Sequence, residues 1–195
     1  MTIEEIKTIL NKSLKAKRFE HSVNVMNESV RLAALYGENE ERAAFAGLLH
    51  DCAREIKGIE AIELCRKFGI DIDEVSYRQP ELLHGALGSI LAKKDFGVDD
   101  EAVLKAIRYH TTGHPGMTLI EKIVFLADYT EPARDFPGVQ EIRHKADKNI
   151  DDAILTAMNS TINFVLKKNT LLHMETINAR NHLLNQRKIC ISPGE

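Results

Sequence analysis

Apolar residues recur at helical spacing along most of the chain. Two sets near the N-terminus each fall on one face of a helix: Ile3, Ile6, Ile9, Leu10 and Leu14, then Val23, Met26, Val30 and Ala33. Gly37 is suited to end the second helix, and Asn39 is a favourable N-cap for the next one. Residues 43–49 are apolar on every side and predict a central, buried helix, in which Gly47 indicates the close approach of a neighbouring helix.

The same periodicity predicts helices over much of the remaining chain, at about 59–68, 80–95, 99–110, 118–129, 149–168 and 175–187. Thr118 and Glu121 form the pattern of a capping box at the start of one of them. Loops are expected at 69–79, 110–117 and 130–138. No segment alternates apolar and polar residues with β-branched enrichment, which argues against a Rossmann or other α/β domain. The predicted fold class is all-α, a helical bundle.

Length and composition are those of one globular domain. The chain has 195 residues, of which 44% are hydrophobic and 28% charged, and no linker, repeat or low-complexity stretch divides it. We therefore expect a single domain over 1–195. Its core should span about 18–135, the C-terminal helices at about 149–187 should pack on that core, and a short tail should follow at 188–195.

Charge and hydropathy argue against several classes of protein. The formal net charge is −3 without a long basic run, which disfavours a nucleic-acid-binding protein. No stretch approaches the roughly 18 apolar residues that span a bilayer, and the N-terminus is acidic where a signal peptide is basic. We expect a cytoplasmic protein without membrane contact, and the apolar face within 3–14 would suit a homodimer. Three cysteines without a CxxC pair predict neither disulfides nor a cysteine zinc site.

Histidine is the residue that points to chemistry. The chain has eight, and His50-Asp51 follows the predicted buried helix, where an imidazole and a carboxylate are costly unless a partner such as a cation satisfies them. Comparable residues lie on or at the ends of other predicted helices: His21, His84, His110 and Asp128. Singly, each histidine is more typical of a hydrogen-bonded helix end, but the ordered set favours a metal site. Four imidazoles and two carboxylates suit Fe, Mn, Zn or Co rather than Ca²⁺ or Mg²⁺.

The order of these residues resembles the H…HD…D signature of the HD-domain phosphohydrolases, with two further histidines as in variants that hold two metals. Longer segments resemble the bacterial YqeK-type subgroup, the symmetrical diadenosine tetraphosphate hydrolases: RFEHS (18–22), GLLHDCARE (47–55), HGALG (84–88), YHTTG (109–113), MTLIEKIVFLADYTEPAR (117–134) and FPGV (136–139). The resemblance extends over about 18–184. It departs at Thr130, where a larger apolar residue is expected, and at 173–175, which lack a proline.

The resemblance implies a single HD domain around a central di-metal site, with six ligands: His21, His50, Asp51, His84, His110 and Asp128. It implies iron at this site, and Mn, Co or Zn are ions that the same donors accept. Two neighbouring cations can hold a bridging hydroxide at neutral pH and neutralise the phosphate oxygens that gain charge during displacement. Asp51 would bridge the two ions, and water would attack phosphorus without a serine or cysteine nucleophile.

A polyphosphate also needs cations outside the metal pair. Arg54 follows Asp51 by three residues and would project from the same face of a continuing helix, so both are candidate catalytic residues. Arg18 precedes His21 by the same spacing, and the guanidinium of Arg134 suits bidentate recognition of a phosphate. We expect all three arginines to bind substrate. Surface ion pairs are the alternative for each of them.

Further substrate contacts are expected beside the ligands and near the C-terminus: His84, His110, Thr111, His173, Thr176 and Arg180. Thr111 lies where a helix ends and can offer a hydroxyl to a phosphate, although a simple helix stop at Gly113 explains the same residues. The last three resemble the family's C-terminal motif that lies against the nucleotide, and an ordinary helix start is the alternative.

The resemblance implies a hydrolase that cleaves diadenosine tetraphosphate symmetrically to two ADP, with a small nucleotide as its partner. An HD phosphohydrolase that acts on a nucleoside mono- or triphosphate or on a guanosine alarmone is the first alternative, and a product assay would separate them. A nucleotide-sensing HD module without turnover is the second, although such a module has no reason to keep every ligand. A purely structural helical protein is the third, and metal analysis of the purified protein would decide it.

Overall fold

The computed structural model describes residues 1–189, and these form an all-α protein, as predicted. In chain order the elements are α1 (Ile3–Ser13), α2 (Ala16–Tyr36), α3 (Glu40–Leu49), α4 (Gly58–Lys67), α5 (Glu74–Arg78), a 3₁₀ helix (Pro80–Leu83), α6 (His84–Phe96), α7 (Glu101–Tyr109), α8 (Leu119–Thr130), α9 (Val139–Ala146), α10 (Ile150–Lys168) and α11 (Met174–Ile189). No β-strand occurs among the described residues. Thr118 and Glu121 form the predicted capping box at the start of α8.

Two predicted elements differ from the structure between residues 69 and 96. The helix predicted at 80–95 is divided, because a 3₁₀ turn over Pro80–Leu83 precedes α6, which begins at His84. The loop predicted at 69–79 contains the short helix α5. Its N-cap is Asp73, whose carboxylate accepts hydrogen bonds from the backbone N–H groups of Val75 and Ser76.

The helix α9 was not predicted at all. Within it only Val139, Ile142 and Ala146 are apolar and buried, a narrow stripe in a segment that is otherwise charged or polar. Such a stripe is too short to stand out in the sequence, and the helix is stabilised by packing on the core formed by α2, α8 and α10.

Much of the apolar face of α1 packs against the rest of the chain. Ile6 and Leu10 are fully buried and Leu14 is nearly so, in a core cluster that they share with Leu49 and Val124. These three side chains pack inside the fold, whereas Ile9 of the same helix is 40% exposed. A homodimer stays a prediction from the sequence.

Close helix contacts set the positions of the residues on which the function depends. A Cβ atom at Gly47 would lie 2.6 Å from Ser29 Oγ and 2.9 Å from Met26 Cα, so α3 approaches α2 as the sequence predicts. A Cβ atom at Gly85 would lie 2.5 Å from the carbonyl oxygen of Arg108, so α6 and α7 also pack closely. Both contacts require a residue without a side chain.

Neither a disulfide nor a membrane-spanning helix is found in the part of the chain that the structure describes. Cys52 and Cys65 are free thiols, and no helix within 1–189 combines the length and the apolar character needed to cross a bilayer. Cys190 and the part of the predicted tail from 190 to 195 lie outside the described residues.

Candidate metal centre

The helices bring the six predicted ligands to one place. The six residues come from five places in the fold, each on a helix or directly after one: His21 in α2, His50 and Asp51 after α3, His84 at the start of α6, His110 after α7 and Asp128 near the end of α8. Although the six residues are far apart in the sequence, their side chains lie together in one cluster. All are buried except Asp128, which is partly exposed.

The imidazole Nε2 atoms form two facing pairs. His21 Nε2 lies 3.3 Å from His50 Nε2, and His84 Nε2 lies 3.0 Å from His110 Nε2. Asp128 Oδ1 is 3.0 Å from His21 Nε2 and so belongs to the first pair. Within the described residues, three groups of these donors are compact enough to hold a metal ion, with ligand atoms within 4.8 Å of one another.

Asp51 lies between the two histidine pairs and presents a different oxygen to each. Its Oδ2 is 3.5 Å from His50 Nε2 and 3.8 Å from His21 Nε2. Its Oδ1 is 3.1 Å from His84 Nε2 and 3.8 Å from His110 Nε2. A carboxylate in this position is able to bridge two cations, one in front of each oxygen.

The outer ring nitrogens show that the donor set fits a metal. In three histidines, Nδ1 lies within hydrogen-bond distance of the backbone carbonyl oxygen of the residue three positions earlier. The distances are 2.7 Å from His50 to Gly47, 2.5 Å from His84 to Glu81 and 2.7 Å from His110 to Ile107. A carbonyl oxygen only accepts, so Nδ1 carries the hydrogen and Nε2 presents a lone pair to the centre. Lone pairs that face one another and face carboxylates need a cation between them.

The pKa values in the cluster follow from this concentration of acceptors. Burial alone would raise the pKa of Asp51, but His50 and His84 hold it well below its usual range. Burial disfavours the charged form of His50, yet Asp51 and Asp128 outweigh it and raise the pKa of this imidazole. Burial, together with His84 and His50, lowers the pKa of His110 to about 3. His110 is therefore neutral near pH 7 and able to offer a lone pair, while Asp51 is charged.

Each of the two carboxylates of the cluster accepts a hydrogen bond from an arginine. Arg18 Nη1 donates to Asp51 Oδ2 at 2.6 Å. Arg134 donates from Nε to the backbone oxygen of Asp128 at 2.7 Å and from Nη2 to the Asp128 carboxylate. Burial would raise the pKa of Asp128, but His21 and Arg134 lower it well below its usual range. Arg18 is therefore paired with a buried carboxylate rather than in an ion pair on the surface.

Arg54 occupies a position that differs from the prediction. The helix does not continue past Leu49, because residues 51–55 form turns with i to i−3 hydrogen bonds, as between Arg54 N–H and Asp51 O at 2.9 Å. The guanidinium donates to the carbonyl oxygen of Glu81 at 3.0 Å and lies against the outer edge of His84 rather than on the inner face of Asp51.

A cavity lined by three basic and two acidic side chains adjoins the cluster at this point. It has a volume of about 150 Å³ and is lined by Arg18, Arg54, Glu55, Ile56, Lys57 and Glu81. Two of its lining arginines also contact the cluster, one through Asp51 and one beside His84. A second cavity, of about 320 Å³, lies between the N-termini of α3 and α7 and shares no residue with the cluster.

The other predicted substrate residues divide into two groups. Thr111 Oγ1 lies 3.1 Å from His110 Nε2 and 3.3 Å from His84 Nε2, at the rim of the cluster. The C-terminal residues make their contacts elsewhere. His173 Nε2 is 3.1 Å from Asp73 Oδ2, and Arg180 Nε donates to Asn159 Oδ1 at 2.6 Å. Thr176 is buried in α11.

Sequence reasoning missed two residues beside the cluster. Glu131 is 2% exposed, and its carboxylate accepts from His21 Nδ1 at 3.1 Å. Arg143 donates to the backbone oxygens of Thr130, Glu131 and Arg134 at 2.9, 2.7 and 3.0 Å. The signal in the sequence was that Glu131 lies three residues after Asp128, just beyond the predicted helix. A glutamate in a loop is ordinarily interpreted as exposed.

Comparison with known proteins agrees with this geometry. Residues 18–133 match the HD domain family. The chain is 39% identical to "Bis(5'-nucleosyl)-tetraphosphatase, symmetrical" of Halalkalibacterium halodurans, over 90% of this chain and 93% of that protein. The identity to the Bacillus subtilis protein of the same description is 37%, over 95% and 99%. The fold superposes with a TM-score of 0.93 on a crystal structure described as a predicted HD superfamily hydrolase involved in NAD metabolism, from Clostridium acetobutylicum, at 46% identity and 95% and 98% coverage.

Proposed function

We propose, because this chain belongs to the HD-domain family and within it to the symmetrical bis(5'-nucleosyl)-tetraphosphatases, that it hydrolyses diadenosine tetraphosphate to two ADP. The observation that carries the proposal is the buried cluster of four imidazoles and two carboxylates, with Asp51 facing both histidine pairs. Such a centre suits hydrolysis of a phosphoanhydride, in which negative charge accumulates on phosphate oxygens.

The cluster offers two metal positions with different ligands. The first would be held by His21, His50, Asp128 and Asp51 Oδ2, and the second by His84, His110 and Asp51 Oδ1. Iron is the proposed occupant of both, and Mn, Co or Zn are also compatible with nitrogen and oxygen donors. When bound, such ions lower the pKa of a coordinated water and offset the charge that develops on the phosphate oxygens.

The arginines around the cluster provide the charge that a tetraphosphate requires. Arg18 and Arg134 each lie on a ligand carboxylate, so a phosphate bound at the metals would be within reach of both guanidinium groups. Arg54 and Lys57 line the adjoining cavity and would hold phosphates farther along the chain. Thr111 would donate its hydroxyl at the rim, and we assign the nucleoside side to the C-terminal residues His173, Thr176 and Arg180.

We also propose that residues 1–195 form one HD domain. The match to the family ends at 133, but Met158 of α10 and Ala179 and Leu183 of α11 belong to the same core cluster as Leu32 of α2. The C-terminal helices therefore complete the core that positions the cluster. A location in the cytoplasm stays a prediction from the sequence.

Replacing Arg54 by alanine should weaken substrate binding more than it slows the reaction. Loss of one charge-assisted phosphate contact at a partly exposed site corresponds to a rise in KM of about tenfold, or about 1.4 kcal/mol. The measurement is KM and kcat for diadenosine tetraphosphate. Arg78→Ala is the matched control, because Arg78 pairs with Glu74 on the surface and lies outside the cavity. Equal KM values for the two variants would contradict the role of Arg54.

Product analysis tests the proposed reaction directly. Symmetrical cleavage of diadenosine tetraphosphate gives ADP as the sole product, whereas asymmetrical cleavage gives AMP and ATP. The same preparation should be assayed on nucleoside mono- and triphosphates and on guanosine alarmones. Faster turnover of one of these would establish the alternative HD phosphohydrolase, and nucleotide binding without any product would establish a sensing module.

A further inference from the structure

The four histidines of the cluster are not supported alike. Three place Nδ1 on a neutral backbone carbonyl oxygen of their own helix end. His21 alone among them has a carboxylate behind it, because its Nδ1 donates to Glu131 Oε1 at 3.1 Å. A carboxylate behind a ligand histidine fixes the orientation of the ring and makes the opposite nitrogen a stronger electron donor, and a carbonyl does so less strongly.

The position of Glu131 is fixed by its surroundings. The residue is 2% exposed, and Oε2 accepts a hydrogen bond from the backbone N–H of Ala133 at 2.7 Å. Its backbone oxygen accepts from Arg143 Nη2 at 2.7 Å, and Arg143 Nε donates to Thr130 O at 2.9 Å. The positive group nearest to the carboxylate oxygens is Arg134 Nε, at 3.9 Å. The carboxylate of Glu131 therefore has two hydrogen-bond donors, His21 Nδ1 and the backbone N–H of Ala133. No positively charged lysine or arginine group of the described residues lies within hydrogen-bond distance of it.

The two halves of the cluster also differ in charge. The half that contains His21 and His50 includes the Asp128 carboxylate and Oδ2 of Asp51, with Glu131 behind it. The half that contains His84 and His110 has only Oδ1 of the shared Asp51. The first half therefore offers four donors and more negative charge, and the second offers three donors and leaves more coordination positions open.

We infer that Glu131 is a positioning residue that, acting through His21, makes the first metal position the tighter of the two and leaves the second labile and open to phosphate oxygens. The inference rests on the proposed function, because it concerns the same pair of ions. Its chemical consequence is that the chain should hold one ion firmly and exchange the other.

The test is stepwise removal of metal from the full chain. Protein loaded with Mn²⁺ or Fe²⁺ is dialysed against a graded series of chelator concentrations, and metal per chain is measured by elemental analysis. Unmodified protein should lose its metal in two separate steps. Glu131→Gln keeps an oxygen able to accept from His21 but removes the charge, so the firmly held ion should bind about 10- to 100-fold more weakly and the two steps should merge.

Glu121→Gln is the matched control. Glu121 is also 2% exposed and also accepts from a histidine, since its Oε1 lies 2.8 Å from His114 Nε2, but that histidine is not part of the cluster. This variant should retain two steps. Arg143→Lys provides a second variant in case Glu131→Gln fails to fold, because it leaves the carboxylate in place and loosens the loop that aims it. Arg143→Lys should weaken the firm step by a smaller factor.

The outcomes distinguish the two proposals. A single step in unmodified protein, with two ions released together, would overturn the inference and leave the proposed hydrolase intact. An unchanged firm step in Glu131→Gln would also overturn it. A chain that binds no metal even in the absence of chelator would instead overturn the proposed metal-dependent function itself.

Discussion

Replacing Asp51 with alanine should remove the bound metal and the hydrolase activity together. Asp51 presents one oxygen to each histidine pair, so its loss takes a ligand from both metal positions. Metal activation of water and neutralisation of phosphate charge contribute several kcal/mol to the rate. We expect kcat to fall at least about 1,000-fold, which corresponds to about 4 kcal/mol. His50→Ala should behave similarly, since His50 is fully buried at the centre of the cluster.

The measurement is kcat for diadenosine tetraphosphate together with metal per chain, with circular dichroism to verify folding. Asp147→Ala is a suitable control, because Asp147 is an exposed aspartate whose contact is an ion pair with Arg31 at 2.8 Å. The control should keep its metal and its rate. An Asp51→Ala protein that is fully active without bound metal would contradict the assigned chemistry.

Gly85→Ala should destabilise the fold and weaken metal binding at the second position. An added Cβ would lie 2.5 Å from the carbonyl oxygen of Arg108, and this is backbone, which yields only if α6 moves away from α7. Overpacking of this kind costs about 1–3 kcal/mol, and each kcal/mol lowers Tm by about 2–4 °C in a chain of this size. Because His84 begins α6 and His110 follows α7, separating the helices also separates two ligands.

Gly88→Ala is the matched control on the same helix. Its Cβ would meet a methyl group of Ile107 at 3.3 Å and the Cys52 Sγ at 3.5 Å, distances at which small side-chain movements suffice. Alanine is also the better helix former by about 1 kcal/mol, so Tm should change little. The checks are thermal unfolding and metal per chain. Equal Tm and equal metal content for the two variants would show that the close approach of α6 to α7 does not position the ligands.

The six candidate ligands could be selected from the sequence because their residue types favour a metal site and their order resembles the H…HD…D signature. Each ligand lies on or at the end of a predicted helix, and residues of this type are rarely buried without a partner. The buried run before His50 and the glycine within it predicted a central helix packed closely on a neighbour, and Gly47 is positioned in that way.

The parts that failed depend on contacts between distant residues. Glu131 lies 110 positions from His21 in the chain, and nothing in its own neighbourhood indicates that it is buried. Arg54 was placed by assuming that a helix continues, whereas the chain turns after Leu49 and directs the guanidinium to Glu81 O. Such positions follow from tertiary packing, which periodicity does not describe.

Thr130 is a departure from the family pattern that the structure explains. Its hydroxyl oxygen lies 3.0 Å from the buried carboxylate of Glu28 and the same distance from the carbonyl oxygen of Leu126, and the two acceptors share its single hydrogen. Glu28 is in turn paired with Arg31 Nε at 2.8 Å. A larger apolar residue at 130 would leave the buried carboxylate of Glu28 without this hydrogen bond. Threonine at this position is therefore explained by the buried glutamate beside it.

The most direct test combines metal content and products in a single preparation of the full chain. After loading with metal, elemental analysis should find two first-row transition-metal ions per chain. Diadenosine tetraphosphate should give ADP alone, and removal of the metal by chelator should stop the reaction until metal is restored. ADP formation by metal-free protein, or AMP and ATP from the metal-loaded protein, would contradict a metal centre that cleaves the tetraphosphate at its midpoint.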